Sequence, residues 1–340
     1  MHSLSSGHTG RRAPVRVAVI QAQIAPDLQA GLARTAALTR EAAAAGAELV
    51  VFPETWLPGY PVWLDVCRDA ALWDHPPVQS VFARMAENSV SVPGEACTAL
   101  AELARESNVV LVIGVVERVD VGAGRGTLYN AILVFGQDGR LLNHHRKLVP
   151  TYTERMVWGQ GDADGLRAVD TAVGRVGALV CWEHWMPLAR QALHESGEDI
   201  HIALWPTAHE LLQVASRSYA FEGRCYVLAA GSLLRASDLP RELEPHPSKV
   251  TSADQWVMRG GSSIIGPDGK YLVEPVYDEP RILVADLDLG RLWEGRMALD
   301  VAGHYSRPDV LRLEVERGRR ALVNHDAQGN PPQINTEQHG

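Results

Sequence analysis

The sequence predicts a single α/β domain with a layered core. Strand-like apolar runs alternate with helical patterns along most of the chain, the order that builds sheets covered by helices. Many of those runs are almost uninterruptedly apolar, which implies burial on both faces. No Gly/Ser-rich or Pro-rich linker splits the 340 residues, and no tandem repeat is present.

Val15–Gln21 reads as the first strand. Asp27 is placed to cap a helix with Leu28, Leu32, Ala36 and Ala43 on one face. Glu48–Phe52 is a second strand, ended by Pro53. Pro93 to Ser107 reads as a helix, and Val109–Glu117 and Leu128–Phe135 as strands. A turn at Gly136–Gly139 leads into the Leu141–Leu142 run. In the second half, Gly177–Val180 and Ile200–Trp205 are strand-like, with a helix near Pro187–Ser196 between them. Thr207–Arg224 is helical and Tyr226–Gly231 a strand. Ser262–Ile265 and Leu272–Glu274 flank a Pro-Asp-Gly-Lys turn, and Ile282–Asp286 closes the series. Residues 1–14 and 314–340 read as polar tails. Residues 56–91, rich in Pro, Trp and Asp, suit a substrate entrance, a subunit contact or a plain pair of surface helices.

Composition narrows the function. With 46% hydrophobic and 21% charged residues, the chain can bury a sizeable core. A net charge of −9 argues against a nucleic-acid partner. No stretch is long and apolar enough for a membrane span, and the N-terminus lacks the apolar segment of a secretory signal. Four cysteines are too sparse for a disulfide framework and show no metal-ligand spacing, so a cytoplasmic protein with reduced thiols and no metal is expected. Cys67, Cys97 and Cys225 read as packing residues.

Three residues at strand ends carry chemistry. Cys181 follows the run Gly177–Val180 and precedes a helix, so its thiol sits at an elbow facing backbone N–H groups that favour a thiolate. An inert core cysteine would look the same. Lys147 lies between apolar residues and Pro150, where a loop can turn it inward; a solvated surface charge is the plain alternative. Glu54 lies just past a strand, where open α/β sheets place ligands, although strand ends also carry ordinary surface acids. Glu154 is a further candidate, alternatively a first-turn helix acid. Together a glutamate, a lysine and a cysteine at three strand ends are the parts of a nucleophilic site.

Tyr60, Trp63, Trp182, Trp185 and Trp205 flank these segments. Tyr60, Trp182 and Trp205 are candidates to line an apolar pocket, with core packing as the alternative. His201 and His209 read as structural histidines. Glu183 is placed to bond the backbone of the elbow.

The motifs Phe52-Pro-Glu-Thr55, His145-Arg-Lys-Leu-Val-Pro-Thr151, Glu154-Arg-Met-Val-Trp-Gly-Gln-Gly-Asp162 and Cys181-Trp-Glu183 occur in one order. Leu204-Trp-Pro206, Gly260-Gly-Ser-Ser263 and Gly303-His-Tyr-Ser-Arg-Pro-Asp309 follow. In that order and spacing the chain resembles the nitrilases of the carbon–nitrogen hydrolase superfamily, from Val15 to Leu313. The Cys-Trp-Glu form and the Trp-Gly-Gln-Gly-Asp segment resemble true nitrilases more than amidases. The resemblance implies a four-layer αββα sandwich, a Glu54–Lys147–Cys181 triad assisted by Glu154, and a homodimer that extends into spiral oligomers. It also implies hydrolysis of a nitrile to an acid and ammonia through a thioimidate and a thioester, thiol-based chemistry that needs no organic cofactor. The flanking aromatic residues suit an aromatic or arylaliphatic nitrile. A cyanide-converting enzyme and an aliphatic amidase on the same fold are the alternatives. A catalytically silent, filament-forming scaffold is the alternative outside enzymology.

Overall fold

The computed structural model describes residues 13–122 and 124–318. Most of the expected tails, residues 1–12 and 319–340, lie outside the described residues. The chain runs through β1 (Val15–Gln21), α1 (Leu28–Ala44), β2 (Leu49–Val51), α2 (Trp63–Val66), α3 (Pro76–Glu87) and α4 (Glu95–Ser107). Then come β3 (Val110–Arg118), β4 (Leu128–Phe135), β5 (Leu141–Arg146), β6 (Val169–Thr171) and β7 (Gly174–Val180). The second half adds α5 (Pro187–Glu195), β8 (Ile200–Trp205), α6 (Glu210–Gly223), β9 (Tyr226–Gly231) and β10 (Leu233–Arg235). β11 (Trp256–Ile265), β12 (Tyr271–Tyr277), β13 (Arg281–Leu287) and α7 (Arg291–Arg296) complete it.

Two sheets form. One has the order β13-β1-β2-β3-β4-β5; the other has β10-β11-β9-β8-β7-β6, with β12 paired to β11. Strands β1, β2 and β3 are mutually parallel, while β4 is antiparallel to both β3 and β5. Strands β2, β3 and β5 therefore all run in one direction. In the second sheet β7, β8 and β9 are parallel.

The alternation of side chains sets the layers. Val17, Val19, Val51, Val112 and Val134 pack into one core with Val176, Ala178, Ile202 and Leu228 of the second sheet. The intervening Ala18, Ile20, Val50, Leu111 and Leu133 pack outward against Ala42 of α1 and Leu100 and Leu103 of α4. Leu193 of α5 and Leu212 and Tyr219 of α6 cover the outer face of the second sheet. The expected αββα layering is present, with the central strands of both sheets buried on both faces.

Several local expectations change. Asp27 does cap α1, its Oδ1 accepting the Ala30 N–H at 2.8 Å. The face of α1 that is fully buried, however, is Gly31, Thr35, Thr39 and Ala42, while Leu28, Leu32, Ala36 and Ala43 are only partly buried. Close approach explains this: a Cβ on Gly31 would stand 2.5 Å from Leu57 Cδ2, and Trp56 Nε1 donates to Thr35 Oγ1 at 2.8 Å. Periodicity did not register β6, β10 or α7, which are short. Residues 56–91 contain the two helices α2 and α3 joined by turns.

Candidate active site

Three strand ends deliver the three predicted residues. Lys147 directly follows β5, Glu54 lies three residues past β2, and Cys181 directly follows β7. Because β2 and β5 run the same way, their carboxyl ends lie on one edge of their sheet, where α/β folds place ligands. The elbow at Cys181 is sharp. Its φ is 52°, left-handed and non-glycine, and it opens the short 3-10 helix Cys181–Trp185. Thr55 and Tyr152, both with φ 43°, are likewise left-handed beside Glu54 and Glu154. Such backbone costs free energy and concentrates where the surroundings over-determine a site.

The side chains converge in a closed volume. Exposure is 0% for Glu54, 1% for Lys147, 1% for Glu154 and 3% for Cys181. Lys147 Nζ donates to Glu154 Oε2 at 2.6 Å and Oε1 at 2.9 Å, and to Glu54 Oε1 at 3.4 Å. Asn130 Nδ2 also donates to Glu54 Oε1, at 2.6 Å. Glu54 Oε2 has no hydrogen-bond partner among the described residues. A carboxylate oxygen of Glu54, one of Glu154 and the Cys181 sulfur lie within 4.8 Å of one another. That donor set has the spacing of a metal site, and the Lys147 ammonium supplies a positive charge within it.

Electrostatics follow from burial. Desolvation raises the Glu54 carboxyl to about 7, against the opposing pull of Lys147. Desolvation and the charge of Glu54 push the Cys181 thiol well above its ordinary value, opposed by Lys147 and by the Trp182 backbone N–H on the sulfur. For Lys147 desolvation alone would lower the value, but the negative partners Cys181, Glu54 and Glu154 outweigh it and hold the ammonium charged. At rest the site therefore holds a thiol, an ammonium and a glutamate poised near neutral pH, the right state for a general base.

Glu183 bonds the elbow as expected and does more. One oxygen accepts the Leu148 N–H and the other the Val180 N–H, each at 2.7 Å, and both stand 3.0 Å from His145 Nε2. It thus ties the residue after Lys147 to the residue before Cys181.

The three candidate pocket aromatics differ in placement. Tyr60 joins the cluster, its hydroxyl donating to Glu154 Oε1 at 2.8 Å. Its ring also lines a cleft of about 620 Å³ shared with Ile24, Val62, Trp63, Met85 and Leu234. Glu54, Lys147 and Cys181 do not line that cleft, and Tyr60 borders both the cleft and the cluster. The Trp182 side chain is 53% exposed, and it is the Trp182 backbone that meets the sulfur. Trp205 is fully buried and stacks on His184, with ring centroids 4.7 Å apart. His201 is buried in a side-chain network, and His209 precedes α6. Cys97 and Cys225 are buried, Cys67 is half-buried, and all are free thiols. Asn130 was missed. Its signal is a buried polar residue inside the apolar strand Leu128–Phe135.

Residues 16–296 match the family model described as carbon-nitrogen hydrolase. "Nitrilase 2" of an unknown prokaryotic organism is 39% identical over 306 residues, covering 89% of this chain and 93% of that protein. An aliphatic nitrilase of Sinorhizobium fredii is 39% identical over 317 residues, covering 91% and 97%. Among solved structures, a carbon-nitrogen hydrolase of Helicobacter pylori superposes with a TM-score of 0.63 at 21% identity, covering 87% of this chain and 96% of that one, a likeness of fold alone. With nitrilases as its relatives over nearly the whole of both sequences, this chain belongs to the carbon–nitrogen hydrolase family, in the nitrilase branch, and is a hydrolase of carbon–nitrogen bonds.

Proposed function

We propose that the protein hydrolyses an organic nitrile to a carboxylic acid and ammonia, with Cys181 as nucleophile, Glu54 as general base, Lys147 as electrostatic stabiliser and Glu154 assisting. The observation that carries this reading is the convergence of a Glu54 carboxylate oxygen, a Glu154 oxygen and the Cys181 sulfur within 4.8 Å of one another, with Glu54 Oε2 left unpartnered among the described residues. Nothing else among the described residues uses that lone pair, and a thiol with a raised pKa needs a base at hand.

The chemistry then balances. Glu54 takes the thiol proton as sulfur bonds the nitrile carbon, and the proton passes to nitrogen to give a thioimidate. A water, deprotonated by Glu54, adds to that carbon. Rupture of the C–N bond with proton delivery releases ammonia and leaves a thioester. A second water cleaves the C–S bond, giving the acid and restoring the thiol. Rupture of C–S in the tetrahedral intermediate would instead release the amide. Lys147 and the Trp182 N–H face the charge that develops; a preorganised donor of this kind is worth about 3–4 kcal/mol.

The aromatic character around the site favours an aromatic or arylaliphatic nitrile. Tyr60 is the side chain placed to border it; Trp182 follows the nucleophile in its own segment, and Trp205 packs on His184 of that segment. The reading includes a cytoplasmic homo-oligomer extending from a dimer. Among the described residues no helix is long and apolar enough to cross a membrane.

The test is a panel of benzonitrile, phenylacetonitrile, an aliphatic nitrile, cyanide and a matching amide, with acid, amide and ammonia quantified. Ammonia and acid from the organic nitriles are expected, and Cys181→Ala is expected to be inactive yet folded. Ammonia from the amide alone, or near-normal turnover by Cys181→Ala, overturns the reading.

A further inference from the structure

A buried chain of polar side chains runs from the nucleophile's own peptide bond into the layer between β8 and α6. His184 Nδ1 lies 2.7 Å from the Cys181 carbonyl oxygen, His184 Nε2 lies 3.0 Å from His201 Nε2, and His201 Nδ1 lies 2.8 Å from Glu198 Oε2. The hydroxyl of Tyr219 donates to the other Glu198 oxygen. His184 is 2% exposed, His201 0% and Glu198 2%, so these bonds lie away from bulk solvent. The rings are locked by stacking: His184 on Trp205, and His201 on Tyr219 with centroids 3.6 Å apart.

Counting protons constrains this chain. Each of its three gaps needs one proton. The Cys181 oxygen only accepts, so His184 Nδ1 carries the first. Two neutral imidazoles hold two protons in total, and an ionised Glu198 holds none. One gap would then bring two acceptors face to face in the dry interior, at a cost of about 1–3 kcal/mol or more. One additional proton closes the count. Its place is His201, the ring between His184 and the carboxylate, giving a buried imidazolium–carboxylate pair with no net charge. The surroundings agree. Burial and the neighbouring His201 push His184 down to about 3, so His184 is the neutral ring. Burial alone would raise Glu198, but the adjacent His201 and His194 hold it at about 2. Other ionisable groups around the pair are Tyr219, His194 with Nδ1 3.4 Å from Glu198 Oε1, Glu222 beyond it, the buried Cys225 thiol, and Arg296, which donates to the Glu198 carbonyl at 3.2 Å and pairs with Asp199.

We infer that His184, backed by the His201–Glu198 ion pair, is a positioning residue that orients and polarises the Cys181–Trp182 peptide bond so that the Trp182 N–H stabilises the anion formed on the substrate. The carbonyl of Cys181 and the N–H of Trp182 belong to one planar trans unit and point in opposite directions. Anchoring the oxygen therefore aims the N–H, and the Trp182 N–H acts on the Cys181 thiol to lower its pKa. A donor on the oxygen also draws electron density from the nitrogen, strengthening that N–H as a donor cooperatively. The relay touches no substrate; it acts through the backbone.

This inference rests on Cys181 being the nucleophile, and two measurements test it separately from that reading. In wild-type enzyme labelled with 15N-histidine, solid-state NMR above neutral pH should show one histidine protonated on both ring nitrogens. It should show another protonated on Nδ1 alone, whose signal is missing from His184→Asn. Spectra in which His184 carries its proton on Nε2, or in which no ring is doubly protonated, overturn the relay. In kinetics, His184→Phe keeps an aromatic ring on Trp205 but has no N–H for the Cys181 oxygen. It should lower kcat by about 10- to 100-fold, less than outright loss of an oxyanion donor, with KM little changed. His184→Asn keeps an N–H near the Nδ1 position and should recover most of that loss. Wild-type kcat in His184→Phe, or equal damage from both substitutions, overturns the inference while Cys181→Ala remains inactive; activity in Cys181→Ala overturns the nucleophile assignment instead. If His184→Phe fails to fold, the wild-type spectrum decides.

Discussion

Lys147 sits closer to Glu154 than to Glu54: its ammonium is 2.6 Å from the first carboxylate and 3.4 Å from the second. The lysine is thus held chiefly by the glutamate that also accepts the Tyr60 hydroxyl and the Thr151 N–H. Glu54 keeps one oxygen free. The division of labour is physical. One carboxylate neutralises and fixes the buried ammonium, and the other remains available to a proton.

Glu154→Ala should therefore be damaging in two ways. It strips the main partner from a buried charge, which typically destabilises by about 3–5 kcal/mol. It also frees the ammonium to move away from the sulfur. Denaturant unfolding together with kcat should show both losses, whereas Glu154→Gln should recover more stability than activity. Full activity in Glu154→Gln would remove the carboxylate from the mechanism.

The pH profile should report Glu54. Its carboxyl titrates at about 7 because burial disfavours the charged form. The base is active when ionised, so kcat/KM should rise with pH through about 7 and flatten above. The stability sign is opposite. A carboxyl with a raised folded-state pKa favours the fold at low pH, and its contribution fades as pH climbs from the ordinary glutamate value of 4.5 through about 7. Glu54→Gln should be nearly inactive, and its thermal stability should fall less over that window than the wild type's. A wild-type profile with no inflection near neutrality would reassign the base.

Gly114→Ala should disable the enzyme from beneath. A Cβ at that position in β3 would stand 2.3 Å from Pro53 O, 2.6 Å from Thr55 N and 2.8 Å from Glu54 Cα. All are backbone atoms of the segment that carries the base, so that segment must shift. Displacement of a catalytic group by about 1 Å commonly costs about 100-fold in rate. Single-turnover kinetics should show loss of the chemical step, with the far-ultraviolet circular dichroism retained.

Glu183→Ala should leave the Leu148 and Val180 N–H groups and His145 without their acceptor. Each buried donor left unpaired costs about 1–3 kcal/mol. Stability and kcat should fall together, since the same carboxylate ties the loop after Lys147 to the strand before Cys181. Loss of activity at unchanged unfolding midpoint would point to direct chemistry by Glu183.

Much of this molecule is legible in its residues. The strands Val15–Gln21, Leu128–Phe135, Ile200–Trp205 and Tyr226–Gly231 stand where the apolar runs put them, because doubly buried strands need uninterrupted hydrocarbon. The Cys181 elbow and the acid at the end of β2 are local features, readable from a strand followed by a break. The buried face of α1 was not readable, because Gly31 and Thr35 face inward for reasons of clearance and a single indole hydrogen bond. Asn130 and His184 were not singled out either. A polar residue in an apolar strand and a histidine three positions after a cysteine acquire meaning only from what stands opposite.

The linear order of residues determined which groups are available: a thiol, an ammonium and carboxylates, with Cys181 and Glu54 each following an apolar strand that places it at a sheet edge. What folding alone decided is how charge is shared among them. Pairing distances, the unpartnered oxygen of Glu54 and the contact of His184 with His201 depend on groups from separate segments meeting in a dry interior. There desolvation governs protonation, and desolvation is a property of the packed molecule that no local stretch of sequence encodes.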